Sequence, residues 1–342
     1  MEFGLEHDPE KCAAVFRSLR DKTATGISAF MIARLTEISA PTRALSEYAA
    51  RALSLPLPEA VAEKAGHHLL DALAAMVSGT QLRPGVVALD YVRKLGGTAE
   101  ASVLGTRLLT SAVNAALANG MLAHADETDD SHAPSRTHPG CAVVPAALAV
   151  AEQTHARGEE FLRAVVLGYD ICARVTLALG ADAVAAASRS THSIGGIFGA
   201  GVAAGALLGL DGAKMRHLLS YCAQQASGVG SNVRDPDHIE KAFDFGGMPA
   251  RNGVTAATMV AHGFTGVDDV FSGERNFFEA YAADPEPGQL ADALGERFEI
   301  LATNIKKWAV GSPAQAALDA LTHLMTAAPL ARDEIASIRV HL

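Results

Sequence analysis

Aromatic side chains are scarce, at 5% of 342 residues. A core without them has to be filled by Ala, Leu, Val and Gly, which favours helices that approach one another closely. Positive charge is also short: 28 Lys and Arg stand against 38 Asp and Glu, for a net charge of -10. No basic stripe exists to displace counterions, so nucleic acid is excluded as a partner, although a local pocket can still bind a small anion. The four cysteines, Cys12, Cys141, Cys172 and Cys222, are far apart and form no CxxC. Neither a zinc ribbon nor an iron–sulfur cluster has a basis in that spacing, and a reducing cytosol suits it better than a disulfide framework. The N-terminus carries acids early and lacks a long apolar core, so a cytoplasmic location is expected. Long apolar runs are missing too. Ile194 to Leu210 is uncharged but holds six glycines and falls short of the roughly 18 residues of a membrane span. It is expected to be a buried helix, and no membrane partner is expected.

What is present is material for a large core, since 49% of residues are hydrophobic and only 19% charged. The length suits about two domains, or one large domain with an appendage. Residues 1–40 are weakly patterned, with short helices plausible around Pro9–Leu19 and Ile27–Glu37. From Thr42 the pattern turns regular. Helices are expected over Thr42–Leu53, Pro58–Val77 and Val86–Lys94, with Gly79 and Gly96-Gly97 as stops. A brief strand or turn is expected at Ala101–Leu104. Further helices follow over 111–123, capped by Thr110 or Ser111, over Pro139–His155 with a kink at Pro145, and over Glu159–Leu179. The glycine-rich Ser190–Leu210 comes next, its Gly201, Gly205 and Gly209 expected on one close-packing face. Gly199-Ala200-Gly201 with Gly205 mimics a dinucleotide fingerprint, but the spacing is wrong and no strand precedes it. Ala213–Gln225, Met248–Gly263, Phe277–Ala283 and Ser312–Met325 read as helices, and Glu334–Leu342 alternates like a strand.

The densest chemistry lies between two apolar helices, in HADETDDSHAPSRTHPG from His124. Four acids (Asp126, Glu127, Asp129, Asp130), three histidines (His124, His132, His138) and Arg136 fall within fifteen residues. Such a cluster can bind a divalent metal, since imidazole and carboxylate suit several ions, but the histidines are eight and six positions apart and match no compact ligand motif. It can move protons, with a histidine or carboxylate taking one next to a carboxylate and another group protonating a leaving hydroxyl. It can also be a polar, capped interhelix loop. Lys241 stands just before glycines where backbone can approach a ligand, and Lys306 where the composition changes. His192 opens the glycine-rich helix, beside free N–H groups that suit an anion.

Three long segments, in order, resemble the MmgE/PrpD family: HADETDDSHAPSRTHPG with VVPAALAVAE, THSIGGIFGAGVAAGALLGLD, and KAFDFGGMPARNGVTAATMVAHGFTG with FSGERNFF. The family includes 2-methylcitrate dehydratase, cis-aconitate decarboxylase and iminodisuccinate epimerase. The resemblance runs from about residue 42 to the end. It implies a mainly α fold: an N-terminal extension over 1–41, a large all-helical domain over 42–300, and the incomplete start of a smaller α/β lid domain over 301–342. It implies a homodimer, a small carboxylate substrate, and neither metal nor cofactor. By position it implies catalytic roles for His138, Asp130, Glu127 and His192, and substrate contacts from Lys241, Lys306 and Ser131; Arg136, in the same cluster, is read as a further carboxylate contact. Two departures stand out. Glu127 takes a place where Asp is usual. Many members have a histidine just ahead of the alanine-rich helix after the second lysine, where this chain reads VGSPAQAALDAL, with Gln315 near that place.

The mechanism so implied is proton abstraction alpha to a carboxylate, with His138 the first choice of base and Asp130 or Glu127 orienting it or acting as acid. Lys241, Lys306, Arg136 and the helix start at His192 would hold carboxylates and stabilise the enediolate. Loss of a beta hydroxyl makes a dehydratase of the 2-methylcitrate type, the leading expectation. Loss of carbon dioxide makes a decarboxylase, and return of the proton on the other face an epimerase. A catalytically inert helical dimerisation module and a metal-dependent hydrolase are the readings outside this chemistry.

Overall fold

The small-residue core dictates the architecture. The computed structural model describes residues 37–328 and 331–340. The two helices anticipated before Glu37 lie outside them. In chain order the helices are α1 (Ala40–Arg51), α2 (Glu59–Gly79), α3 (Arg83–Leu95), α4 (Ala112–Ala123), α5 (Pro139–Thr154), α6 (Gly158–Leu179) and α7 (Ala181–Ala186). They continue with α8 (Thr191–Leu207), α9 (Gly212–Gln225), α10 (Ile239–Ala242), α11 (Met248–Ala261), α12 (Phe277–Tyr281) and α13 (Ser312–Ala327). The only strands among the described residues are β1 (Ala101–Ser102) and β2 (Leu109–Thr110), an antiparallel pair with Ala101 opposite Thr110. The fold is mainly α.

Helix α8 is apolar all round and therefore lies at the centre, with every residue from Ser193 to Ala206 buried. It packs against α5, α6, α9 and α11, while α4, equally apolar, packs against α5 and α11. Two glycine contacts set these distances. A Cβ on Gly199 would stand 2.5 Å from the Gly168 carbonyl oxygen of α6, and one on Gly120 of α4 would land on the Gly246 carbonyl oxygen. The expected glycine face of α8 holds in part. Gly201 and Gly205 do meet α9, at Cys222 and Leu218, but Gly209 lies past the helix in a left-handed turn with open space beside it. The helix needs Gly209 as a stop.

Caps follow sequence chemistry. The Ser111 side chain accepts from Asn114 N–H at 3.3 Å and starts α4, and Ser190 does the same for Ser193 at 3.3 Å to start α8. Pro58 is the N-cap of α2 rather than a first-turn residue, and Gly79 is that helix's last residue rather than the stop beyond it. Helix α5 runs on through Pro145.

One buried cation fastens the end of the helical body. Arg174 on α6 is fully buried and donates to the carbonyls of Gln289, Asp292 and Arg297 at 3.3, 2.6 and 2.8 Å, and to Asp170 at 3.3 Å. Asp170 in turn accepts from Glu299 N–H at 2.7 Å. Beyond that anchor the chain makes a 3-10 turn (Glu299–Ala302), and Asn304 exchanges two backbone hydrogen bonds with Ser131, each 2.9 Å. That turn and single bridge are what the structure has just ahead of Lys306, where the composition changes. Helix α13 follows and buries none of its residues. Of the strand expected over Glu334–Leu342, the described part does not form: a 3-10 turn occupies Arg332–Glu334 and residues 335–340 have no ladder partner among the described residues. Alternation alone cannot make a strand without a neighbour to pair with.

Candidate active site

The polar segment spans the gap between two buried helix ends, and two of its three histidines are those ends. His124 is the C-cap of α4 and His138 the N-cap of α5. Burying an acid-rich loop forces every carboxylate to find a donor. Neighbouring residues solve this in opposite directions. Asp129 and Asp130 are both buried. Asp129 Oδ2 lies 2.9 Å from His124 Nδ1 and 3.2 Å from His138 Nδ1, and its Oδ1 lies 3.4 Å from Lys306 Nζ. Asp130 turns the other way. It accepts from Tyr169 Oη at 2.6 Å and from Gly140 N–H at 3.0 Å, and it pairs with His68 Nδ1 at 2.7 Å.

The other parts arrive from distant stretches. Helix α10 carries Lys241 and runs into a π turn (Phe243–Gly247) before α11 begins. The wider turn brings Phe245 into the centre, where its ring stacks on His192 at 3.7 Å and on His124 at 4.4 Å. The Lys241 ammonium stands 5.2 Å from that ring and pairs with Glu127. His138 lies 5.0 Å from His192 and 5.7 Å from His124, centroid to centroid. Asp244, in the same π turn, accepts from Ser190 Oγ at 2.5 Å and Asn232 Nδ2 at 2.8 Å, fastening the turn to the start of α8. The Asn304–Ser131 bridge delivers Lys306, which donates to the Glu127 carbonyl at 2.9 Å.

Five of the eight residues singled out from sequence therefore meet around Phe245: Glu127, His138, His192, Lys241 and Lys306. Three do not. Asp130 faces the buried His68–Tyr169 pocket and braces the first turn of α5. Ser131 pairs with Asn304 through its backbone and contacts Ser312 Oγ at 3.2 Å. Arg136 has a left-handed φ of 51°, which turns its side chain outward to Asp182 at 3.3 Å. The sequence reading placed Asp129 and His124 in the cluster without giving either a role, and it missed Phe245 and His238. Asp129 carried a signal, since it sits in the acidic run, but nothing in one dimension distinguishes it from Asp130. Gln315 is bonded to backbone of its own segment, donating to the Trp308 and Val310 carbonyls at 2.8 and 2.9 Å. The position just ahead of the alanine-rich helix is Gly311, the N-cap of α13, and a Cβ there would stand 3.9 Å from Glu127 Oε2.

Electrostatics assign the proton positions. Burial alone would push the Asp129 carboxyl up, but His124 and His138 beside it hold it well below the usual range, so it is ionised. An ionised carboxylate only accepts, so the hydrogen bond from His124 puts that ring's hydrogen on Nδ1 and leaves its Nε2 with a lone pair, while His138 turns its Nδ1 toward the same oxygen. Burial lowers the His124 imidazole despite Asp129, and burial together with His138 and His124 holds His192 well below the usual range. Burial would raise Glu127, but the Lys241 hydrogen bond, His124 and Lys306 keep it below its ordinary value. The result is a buried carboxylate faced by two imidazoles, a third imidazole, His192, kept neutral by burial, and two lysine side chains at the edge.

Two groupings have donor atoms close enough to face one ion: His124, Glu127 and His238, and His124, Asp129 and Cys141. The neighbours of each group bear on that. Glu127 is taken by Lys241 with Lys306 Nζ 3.8 Å away, so the ion would sit against two ammonium charges. Burial, and then Asp129, push the Cys141 thiol well above its usual range, so without an ion it is a neutral thiol. A separate cavity of about 40 Å³ beside Tyr48 and Arg163 holds no part of this cluster. No helix among the described residues is long and apolar enough to cross a membrane.

The family model for the MmgE/PrpD N-terminal domain matches residues 43–290. No curated protein matches the chain.

Proposed function

The chain belongs to the MmgE/PrpD family, which includes dehydratases and related enzymes, and from that premise we propose that it is a metal-independent lyase acting on a small di- or tricarboxylate. The reaction begins with removal of the proton alpha to a carboxylate, and dehydration of an acid of the 2-methylcitrate type is the first reading.

The observation that carries the proposal is the arrangement about Asp129. An ionised carboxylate faces the Nδ1 of His138 and leaves its Nε2 as acceptor, on a side chain still 11% exposed. That is the placement a general base needs: oriented from behind, open in front. The carbanion that forms is stabilised as an enediolate by positive charge on Lys241, which stands at the same aromatic platform. His192, neutral and 5.0 Å from His138, is placed to return or relay a proton. Asp130 enters only as a brace beneath α5, and Arg136 plays no part. We propose with it a homodimer, a cytoplasmic setting and the opening of a second unit over 301–342, which an α13 that buries none of its residues supports.

The test is to incubate the chain with 2-methylcitrate, citrate, cis-aconitate and iminodisuccinate and follow ultraviolet absorbance and proton NMR. Turnover of one of them by the parent, abolished in His138→Asn while the melting temperature is kept, supports the proposal. Unchanged turnover in His138→Asn removes His138 from the role. No change with any acid favours an inert helical module.

A further inference from the structure

Within the cluster the two lysines are not equivalent. Lys306 and Asp129 are each 2% exposed, and Lys306 is held by the Glu127 carbonyl as well. Turning it toward a ligand would strand a buried carboxylate, which is costly. Lys241 and Glu127 are 22% and 21% exposed and pair with each other. Theirs is the ion pair of the cluster that a solute can reach. It also lies at the right edge of the site, since the Lys241 ammonium and the His192 ring share the Phe245 platform.

We propose that a carboxylate ligand enters by exchange: it replaces Glu127 on Lys241, and Glu127 takes up a proton from solvent as it is released. This rests on the carboxylate-lyase reading above. The balance is simple. The Lys241 ammonium keeps its charge and changes partner, one proton comes from the buffer, and no bond to carbon is made or broken.

The surroundings of Glu127 decide why protonation follows. Lys241 faces it from α10, and His238, held at a φ of 59° as the N-cap of α10, lies beside it. His124 faces it from the end of α4, and Asp126 and Asp129 flank it on its own loop. From the last segment come Lys306, at 3.8 Å from Oε2, and Gly311, which brings no charge. Remove Lys241 and the nearest cation left is Lys306, already committed to Asp129 and a carbonyl. A half-buried carboxylate then has a new anion as neighbour and little to hold its charge, so the neutral form is favoured. Burial already presses Glu127 toward that form, and the Lys241 hydrogen bond is the first of the interactions opposing it. The protonated carboxyl is then an acid in reach of a leaving group, a role a permanently paired Glu127 could not fill.

The experiment is titration calorimetry of the full chain with succinate and with citrate, near pH 7, in phosphate, HEPES and Tris buffers. The exchange predicts a heat that varies linearly with buffer ionisation enthalpy, with a slope approaching about one proton taken up per ligand. In Glu127→Gln the slope vanishes while binding persists, and Glu127→Asp retains it. Lys241→Met weakens binding about 10- to 100-fold. Binding with no buffer dependence in the parent overturns the exchange and leaves the carboxylate reading standing. A slope that survives in Glu127→Gln, shown folded by circular dichroism, puts the proton on an imidazole and overturns the assignment to Glu127. If neither acid binds nor protects the chain thermally, the carboxylate reading itself fails and the exchange falls with it.

Discussion

Asp129 holds three partners in place at once: His124, His138 and Lys306. Replacing it by Asn removes the negative charge that both imidazoles face and turns one acceptor oxygen into a donor, so turnover of whichever acid the parent consumes is expected to fall by about 10²–10⁴-fold in kcat. A smaller loss, with KM alone raised, would mean that Asp129 only holds the lysine. The same residue marks the acid side of stability. Its folded carboxyl lies well below the ordinary value, so its contribution is present above the unfolded-state range near 4 and disappears as pH falls through its lower folded value. In acid titrations followed by circular dichroism, Asp129→Asn should be less stable than the parent near neutrality and lose less stability below pH 4. The pair Asp129-Asp130 also shows where sequence reading stops at this scale. Both are acids between helix ends, both end up buried, and which one looks at His138 depends on loop torsions that residue identity does not encode. The residues that single chemistry could find, His138, His192, Lys241 and Lys306, are each a basic group at a helix start or a composition boundary.

At the scale of elements, most of the helical plan was legible because apolar period, proline and capping residues agree with one another, as at Ser111 and α4. The π turn over Phe243–Gly247 was not, since the period calculation has no place for one extra residue, yet that turn centres Phe245. Two predictions belong to it. A Cβ at Gly120 would land on the Gly246 carbonyl oxygen, so Gly120→Ala should cost about 2–4 kcal/mol in denaturant unfolding and impair turnover even in the folded fraction. A neutral result would mean that α4 and the turn can separate freely. Asp244, which ties the turn to Ser190, has its carboxyl raised to about 6 by burial, with its hydrogen bonds opposing. A raised folded value means that stability is fully present below the unfolded value near 4 and is lost as pH climbs through 6, by about 2–3 kcal/mol at most. Asp244→Asn removes that loss, so the stability gap between parent and variant should shift in favour of the variant from pH 4 to pH 7 and then stay flat. A gap independent of pH would contradict the raised value.

For the whole molecule, composition foretold a helical body of small residues, and three ordered segments pointed to the family before any geometry. The C-terminal strand was misread for a physical reason: alternation is a statement about two faces, and residues 335–340 have nothing to lie against among the described residues. Glycine and alanine also make α4 and α8 legible as buried without saying which neighbours they touch. The account's central claim is that this body exists to bring Asp129-backed His138 against an activated C–H bond. The most direct measurement is proton NMR in D₂O with 2-methylcitrate, citrate, cis-aconitate and iminodisuccinate. The account predicts that the parent chain exchanges or consumes the hydrogen alpha to a carboxylate in one of them and that His138→Asn does not. Retention of every such hydrogen by all four acids in the presence of the folded parent would contradict it.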